Sequence, residues 1–280
     1  MPSDYQDVES THKADNNEWI AFTANNIGKT FQGCGGDTPK WAALLLDGIH
    51  ARSMTTLNRR VGLERESIVI VEHNQETFDT LKAKHPDCNL VLDRMQTYVR
   101  DESFPDDEFN IVFFDWMCTI PGNGQEGPPL QALSDYLART KLPFVVVAQT
   151  FCLRGQEIGD RSQPYQKAKD VVCEEITKRA TCNGYSPLWN SYFESVYTRE
   201  GGRTAMFFCC LVLAHVPSES SPQYLWDFFN RNQLQLRNKY VKNFPLQLSR
   251  CVLNDVTRCR VVHIDVDNEW EVKEESEEMV

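Results

Sequence analysis

Four hydrophobic runs in the first part of the chain each end on a carboxylate: Leu44-Leu45-Leu46-Asp47, Ile68-Val69-Ile70-Val71-Glu72, Leu90-Val91-Leu92-Asp93 and Ile111-Val112-Phe113-Phe114-Asp115. A carboxylate accepts hydrogen bonds from hydroxyl, amino and amide groups and offsets a nearby positive charge. The acids are separated by 25, 21 and 22 residues. That is the length of one strand, one helix and two loops, the repeat of a βαβ unit. In a parallel sheet the strand C-termini share one edge, so the four acids would face the crevice where open α/β sheets bind ligands. Taken singly, each is also what a turn or a helix N-cap uses after a buried strand. Taken together, they suit one ligand that carries several hydroxyl and amino groups.

The elements that position these acids follow from periodicity. Met54, Leu57 and Val61 have helical spacing before Gly62, and Asn74 is placed to cap a helix with Phe78 and Leu81 inside and His85-Pro86 at its end. The connection after Asp93 is short. Beyond Asp115, a loop containing Pro121-Gly122-Asn123-Gly124 leads to Pro128-Pro129 and to Leu130, Leu133 and Leu137 on one helical face. A fifth strand is expected over Pro143 to Thr150, then a helix from Tyr165 to Thr181.

The rhythm then changes. Tyr192 to Thr198 and Thr204 to Leu213 are strand-like, and only Arg199-Glu200-Gly201-Gly202-Arg203 joins them. That link is too short for a crossover helix, so the two must form an antiparallel hairpin. The expected fold is α/β: a Rossmann-like doubly wound sheet, mostly parallel with a C-terminal antiparallel hairpin strand, and helices on both faces. Residues 1–17 are expected as a flexible leader, 18–215 as the α/β domain, 216–264 as a helical extension packed on it, with irregular structure or a short strand at Arg260 to Ile264, and 265–280 as an acidic disordered tail.

Composition narrows the classes. With 280 residues and 41% hydrophobic content, the chain can bury one large core. No run reaches the ~18 apolar residues of a membrane span, and the polar start lacks signal-peptide character. The 10 cysteines form no Cys-x-x-Cys pair, which predicts reduced thiols, an intracellular setting (cytoplasmic or nuclear) and no metal site. The net charge of −11 opposes wholesale nucleic-acid binding. Between Gln223 and Val262, however, seven basic residues face two acids, and Trp226, Phe228 and Phe229 lie among them. A nucleic-acid acceptor through this 223–262 stretch is one expectation; aromatics of a helix packed onto the sheet are the other. Gly33-Cys34-Gly35-Gly36-Asp37-Thr38-Pro39 reads as a connecting loop, since no Lys-Ser or Lys-Thr follows to make a Walker P-loop.

On these residues, from about Trp41 to His215, the chain resembles the class I S-adenosylmethionine-dependent methyltransferases. Their sheet has seven strands, the last antiparallel and inserted beside the fifth. The resemblance implies S-adenosyl-L-methionine as cofactor, with Asp47 and Gly48 beside its methionine part. It also implies Glu72 with His73 at the ribose, Asp93 with Arg94 near the adenine, and Asp115 with Trp116 facing the methyl acceptor. The sequence departs from the family in two places. Gly48 is followed by Ile49-His50-Ala51-Arg52-Ser53 where further glycines are usual, and Asp115-Trp116-Met117-Cys118 lacks the Asp/Asn-Pro-Pro-aromatic signature of amine methylation. Asp115-x-x-Cys118 and Thr150-Phe151-Cys152 faintly resemble the motifs of RNA cytosine-C5 methyltransferases, which would make Cys152 a nucleophile; two buried thiols at strand ends are the simpler reading.

The leading expectation is therefore methyl transfer to an acceptor that the sequence does not specify. A catalytically inactive scaffold of the same fold, acting as a binding subunit, is the alternative. A nicotinamide-dependent dehydrogenase could use Glu72 in the same way, but Gly-x-Gly-x-x-Gly is absent after the first strand.

Overall fold

Each of the central strands is buried along its length, as a parallel sheet covered on both faces requires. The computed structural model describes residues 11–33, 39–116, 118, 129–153, 164–198, 205–215, 250–255 and 258–262. The elements in order are α1 (Thr11–Gly33), β1 (Ala43–Leu45), α2 (Arg52–Val61), β2 (Ile68–Glu72), α3 (Gln75–Lys84), β3 (Asn89–Leu92), α4 (Met95–Arg100), β4 (Ile111–Asp115), α5 (Pro129–Arg139), β5 (Phe144–Leu153), α6 (Pro164–Cys182), β6 (Tyr185–Thr198), β7 (Ala205–His215), β8 (Arg250–Asp255) and β9 (Arg258–Val262). Among them no helix is long and apolar enough to cross a membrane.

Local chemistry sets the element ends. Gly62 stops α2 at φ 79°, the left-handed conformation in which glycine pays no steric cost. Asn74 caps α3 by accepting from the Thr77 amide at 3.0 Å, and Pro129 opens α5, where its missing N–H costs nothing.

The sheet order is β3-β2-β1-β4-β5-β7-β6. β1 through β5 pair in parallel, while β7 runs antiparallel between β5 and β6. Strand alternation divides the core into two layers. Leu44, Val112, Phe114 and Val147 pack with Val99 of α4, Leu133 of α5 and Ile176 of α6. Leu45, Ile70, Phe113 and Phe208 pack with Ile20 and Ile27 of α1, Leu57 of α2 and Leu81 of α3. The sheet is thus doubly wound.

Three expectations are corrected. Thr11 to Asn17, expected as leader, form the first turns of α1, and Asn16 and Asn17 are buried. The reason is tertiary: Ile20, Ala24 and Ile27, spaced for one helical face, dock on the sheet, and Trp19 stacks on Phe193 of β6 with ring centroids 4.2 Å apart. Second, α4 fills the short connection after Asp93, and β6 begins at Tyr185, earlier than expected. Third, within the expected helical extension, β8 and β9 form an antiparallel hairpin; β9 overlaps the short strand expected from Arg260, and β8 was not expected. The cluster Tyr224 to Phe229, the acidic tail and the Pro121 to Gly124 loop lie outside the described residues.

Candidate active site at the switch point of the sheet

The order in which strands are added reverses between β1 and β4: β2 and β3 lie on one side, β5 to β7 on the other. Such a switch point opens a crevice at the strand C-termini. Asp47 and Asp115 stand on its two sides, following strands in register at Leu45 and Phe113.

Asp47 organises the turn into α2. Its Oδ1 accepts from the Gly48 amide at 3.1 Å and lies 3.3 Å from the Ser53 hydroxyl, while Oδ2 accepts from the Met54 amide at 3.0 Å. Burial is the main influence on its titration and pushes its pKa up to about 6, against the amide hydrogen bond from Met54 and the field of Lys13. The turn itself is tight. The Ala51 amide donates to the Gly48 carbonyl at 2.8 Å, and Ala51 has φ 44° and ψ 47°, a left-handed conformation that glycine holds more easily. The glycine-poor sequence after Asp47 therefore closes a tight turn, with backbone strain at a buried alanine. His50 is exposed, whereas Arg52 lines the pocket.

Glu72 and Asp93 sit side by side at the β2 and β3 ends. The Asp93 amide donates to the Glu72 carbonyl at 3.1 Å, and Leu92 is in register with Glu72. Glu72 Oε1 accepts from the Asn74 amide at 2.7 Å and lies 3.3 Å from His73 Nδ1. Asp93 Oδ1 accepts from the Arg94 amide at 2.6 Å. Glu72 and Asp93 thus each accept from a turn amide, as acids after buried strands do, at the C-terminal edge of the sheet. Leu92 is 43% exposed, the one large hydrophobic among the described residues left so open.

Asp115 and Trp116 part company. Phe113 and Asp115 face the α1 side and line the pocket, whereas Phe114 and Trp116 turn into the layer under α4, α5 and α6. Alternation along the strand causes this, so Trp116 does not join Asp115 at the pocket. Asp115 Oδ2 pairs with Lys13 Nζ at 2.9 Å. Its Oδ1 is buried without a hydrogen-bond partner, as is the hydroxyl of Thr150, its register neighbour on β5. Buried polar atoms are rarely left unpaired, so these two mark where a ligand's hydrogen-bonding group would be accommodated. Cys152 is buried against the Met206 sulfur at 3.4 Å, the arrangement of an inert thiol rather than a nucleophile.

The pocket has a wall that the sequence reading missed. Lys13, Asn16 and Asn17 of α1 line it together with Asp47, Asp115 and Ser53. Asn17 Oδ1 lies 3.1 Å from the Ser53 hydroxyl, and Asn16 Oδ1 accepts from Ser195 at 2.9 Å, so α1 spans the crevice from α2 to β6. The apolar spacing from Ile20 to Ile27 was the available signal for this helix; the polar face that reaches the pocket carried none.

Six parallel strands with one antiparallel strand seated beside the fifth, and acids at the ends of β2 and β4 and just after β1 and β3, complete the pattern. The fold is that of the class I methyltransferases. No protein-family model matches the chain, and no curated protein does. Among solved structures, this methyltransferase fold is similar to cofactor-bound Rv0187 from MTB, with TM-score 0.46 and 12% identity over 76% of this chain and 84% of that one. It is also similar to the plantazolicin methyltransferase BpumL in complex with a pentazolic desmethylPZN analog and SAH, with TM-score 0.44 and 9% identity over 72% and 86%. A SAM-dependent methyltransferase from Aquifex aeolicus matches with TM-score 0.37 and 13% identity over 62% and 82%.

Proposed function

We propose that this chain is an S-adenosylmethionine-dependent methyltransferase whose cofactor lies along the C-terminal ends of β1 to β4. The observation that carries the reading is the placement of Asp47 and Asp115 across the switch point, with Glu72 and Asp93 adjacent along the same edge. The residues fit the cofactor. Glu72 spends one oxygen on the Asn74 amide and retains Oε2 for a ribose hydroxyl, and exposed Leu92 offers an apolar surface to the adenine ring. The turn from Gly48 to Ser53 brings backbone close to the methionine part, while Asp115 Oδ1 and the Thr150 hydroxyl provide hydrogen-bonding atoms on the acceptor side.

The sulfonium supplies a methyl group already activated for transfer. What this chain must add is alignment and exclusion of water, which need no nucleophile or metal from the protein. α1 provides the cover, held across the crevice by Asn16 and Asn17. Asp115 holds a hydrogen on the acceptor through Oδ1. An intracellular setting belongs to the same proposal and is supported by the 10 scattered cysteines, which form no Cys-x-x-Cys pair. A nucleic-acid acceptor is supported only by the seven basic residues against two acids between Gln223 and Val262.

One feature favours the alternative, a binding scaffold without catalysis: the strained Ala51 turn in place of a glycine-rich one. Calorimetric titration with S-adenosylmethionine, S-adenosylhomocysteine and NAD separates the readings. Binding of the first two and not the third is expected, with affinity falling about 10- to 100-fold in Glu72→Ala, the cost of one charged hydrogen bond. A folded protein that binds none of the three would leave the scaffold reading standing.

A further inference from the structure

The switch-point pocket is lined by two acids, Asp47 and Asp115, and two bases, Lys13 and Arg52. Lys13 belongs to α1, outside the βα repeat that supplies the four strand-end acids, and its ammonium lies 2.9 Å from Asp115 Oδ2. The pair is partly buried, with side-chain exposures of 30% and 14%. In such a place a carboxylate attracts a cationic ligand strongly, and an ammonium in contact with it cancels most of that attraction.

We infer that Lys13 determines how far the pocket distinguishes a cationic cofactor from its neutral product. The inference rests on the methyltransferase reading above. Transfer of the methyl group to a lone pair on the acceptor breaks the sulfur–methyl bond, leaves both bonding electrons on sulfur and turns the sulfonium into a neutral thioether. The charge passes with the methyl group to the acceptor, which sheds it as a proton to solvent, so the cofactor itself becomes neutral within the pocket. With Lys13 paired to Asp115, the excess pull on the sulfonium is suppressed, and the repulsion between Lys13 and the sulfonium is released as the charge departs. An interaction unfavourable in the ground state and relieved in the transition state favours turnover over tight substrate binding. Lys13 thus acts on the charge of the ligand rather than on its shape.

The test is calorimetric titration of the full chain with S-adenosylmethionine and, separately, S-adenosylhomocysteine, in the parent, Lys13→Met and Lys13→Arg. Lys13→Met is expected to tighten S-adenosylmethionine about tenfold and to leave S-adenosylhomocysteine within about twofold, while Lys13→Arg keeps the parental ratio. Asp115→Asn reads the same ratio in the opposite sense and serves if Lys13→Met does not fold: it should weaken the cationic ligand about tenfold more than the neutral one. Equal shifts for both ligands would overturn the inference, because they would make Lys13 a ligand for the shared carboxylate or a prop for α1. An unchanged ratio would overturn it as well. In both cases the parent still binds, so the methyltransferase reading survives. A parent that binds neither ligand sinks that reading and this inference together.

Discussion

Ser195 of β6 donates to Asn16 Oδ1 of α1 across 2.9 Å, joining residues 179 positions apart, and both are buried. This contact closes one end of the span that α1 makes over the candidate active site; the other end is Asn17 against Ser53.

Removing one partner should cost more than the bond is worth. Asn16→Ala strands a buried hydroxyl, and a loss of about 1–3 kcal/mol of stability is expected, with Asn16→Ala/Ser195→Ala recovering part of it. Urea unfolding of the two single variants and the double variant gives the coupling directly. An additive double mutant would mean that the contact does not hold α1.

Asp47 makes stability depend on pH. Its folded pKa, about 6, lies above the ordinary value of 3.8, so between these values the folded state holds a proton that the unfolded chain has released. Its contribution is therefore most favourable below pH ~4 and is lost as pH rises through ~6. Allowing for the pocket's access to water, the loss is on the order of 1–2 kcal/mol. Thermal melts of the parent and Asp47→Asn across this range should differ in slope, the parent falling more steeply with rising pH. Parallel slopes would show that Asp47 titrates normally.

Ala51 carries the strain of the turn before α2, at φ 44° with no exposed surface. A β-branched side chain is poorly tolerated there, so Ala51→Val should destabilise by more than about 2 kcal/mol. Ala51→Gly trades relief of strain against a lost methyl contact and is expected within about 1 kcal/mol of the parent. Denaturant midpoints for the two variants check the order; a Val variant as stable as the Gly variant would contradict the left-handed backbone.

A second buried charge pair lies away from the pocket. Lys169 of α6 is 3.4 Å from Glu194 of β6, and Tyr192 donates to the other Glu194 oxygen at 2.6 Å. Lys169→Met takes a buried ammonium from beside that carboxylate, so a loss of about 3–5 kcal/mol is expected, with Lys169→Met/Glu194→Gln milder than the single variant. Chemical denaturation of both decides this. If the single variant is the more stable, the pair is not a buried ion pair in solution.

Much of the fold was legible in one dimension because it rests on short-range rules. Apolar runs of strand length ending on acids, helical spacing from Met54 to Val61 and from Leu130 to Leu137, the Asn74 cap, the Gly62 stop and the short link between the last two strands each report local geometry, and a repeat of local units implies a parallel sheet. These features also placed Asp47, Glu72, Asp93 and Asp115 at strand ends, since the end of an apolar run marks the end of a strand.

Contacts across the fold were another matter. The docking of α1 depends on a sheet surface assembled from strands far away in the chain, so Asn16, Asn17 and Lys13 looked like a polar leader until the crevice existed for them to cover. Trp116 followed Asp115 in sequence, yet strand alternation carried it into the opposite layer. Residue type and spacing alone determined which groups could do chemistry and along which edge. Only the tertiary structure decided which groups share a pocket, because that depends on the order of strands in the sheet and on which helix closes over the gap.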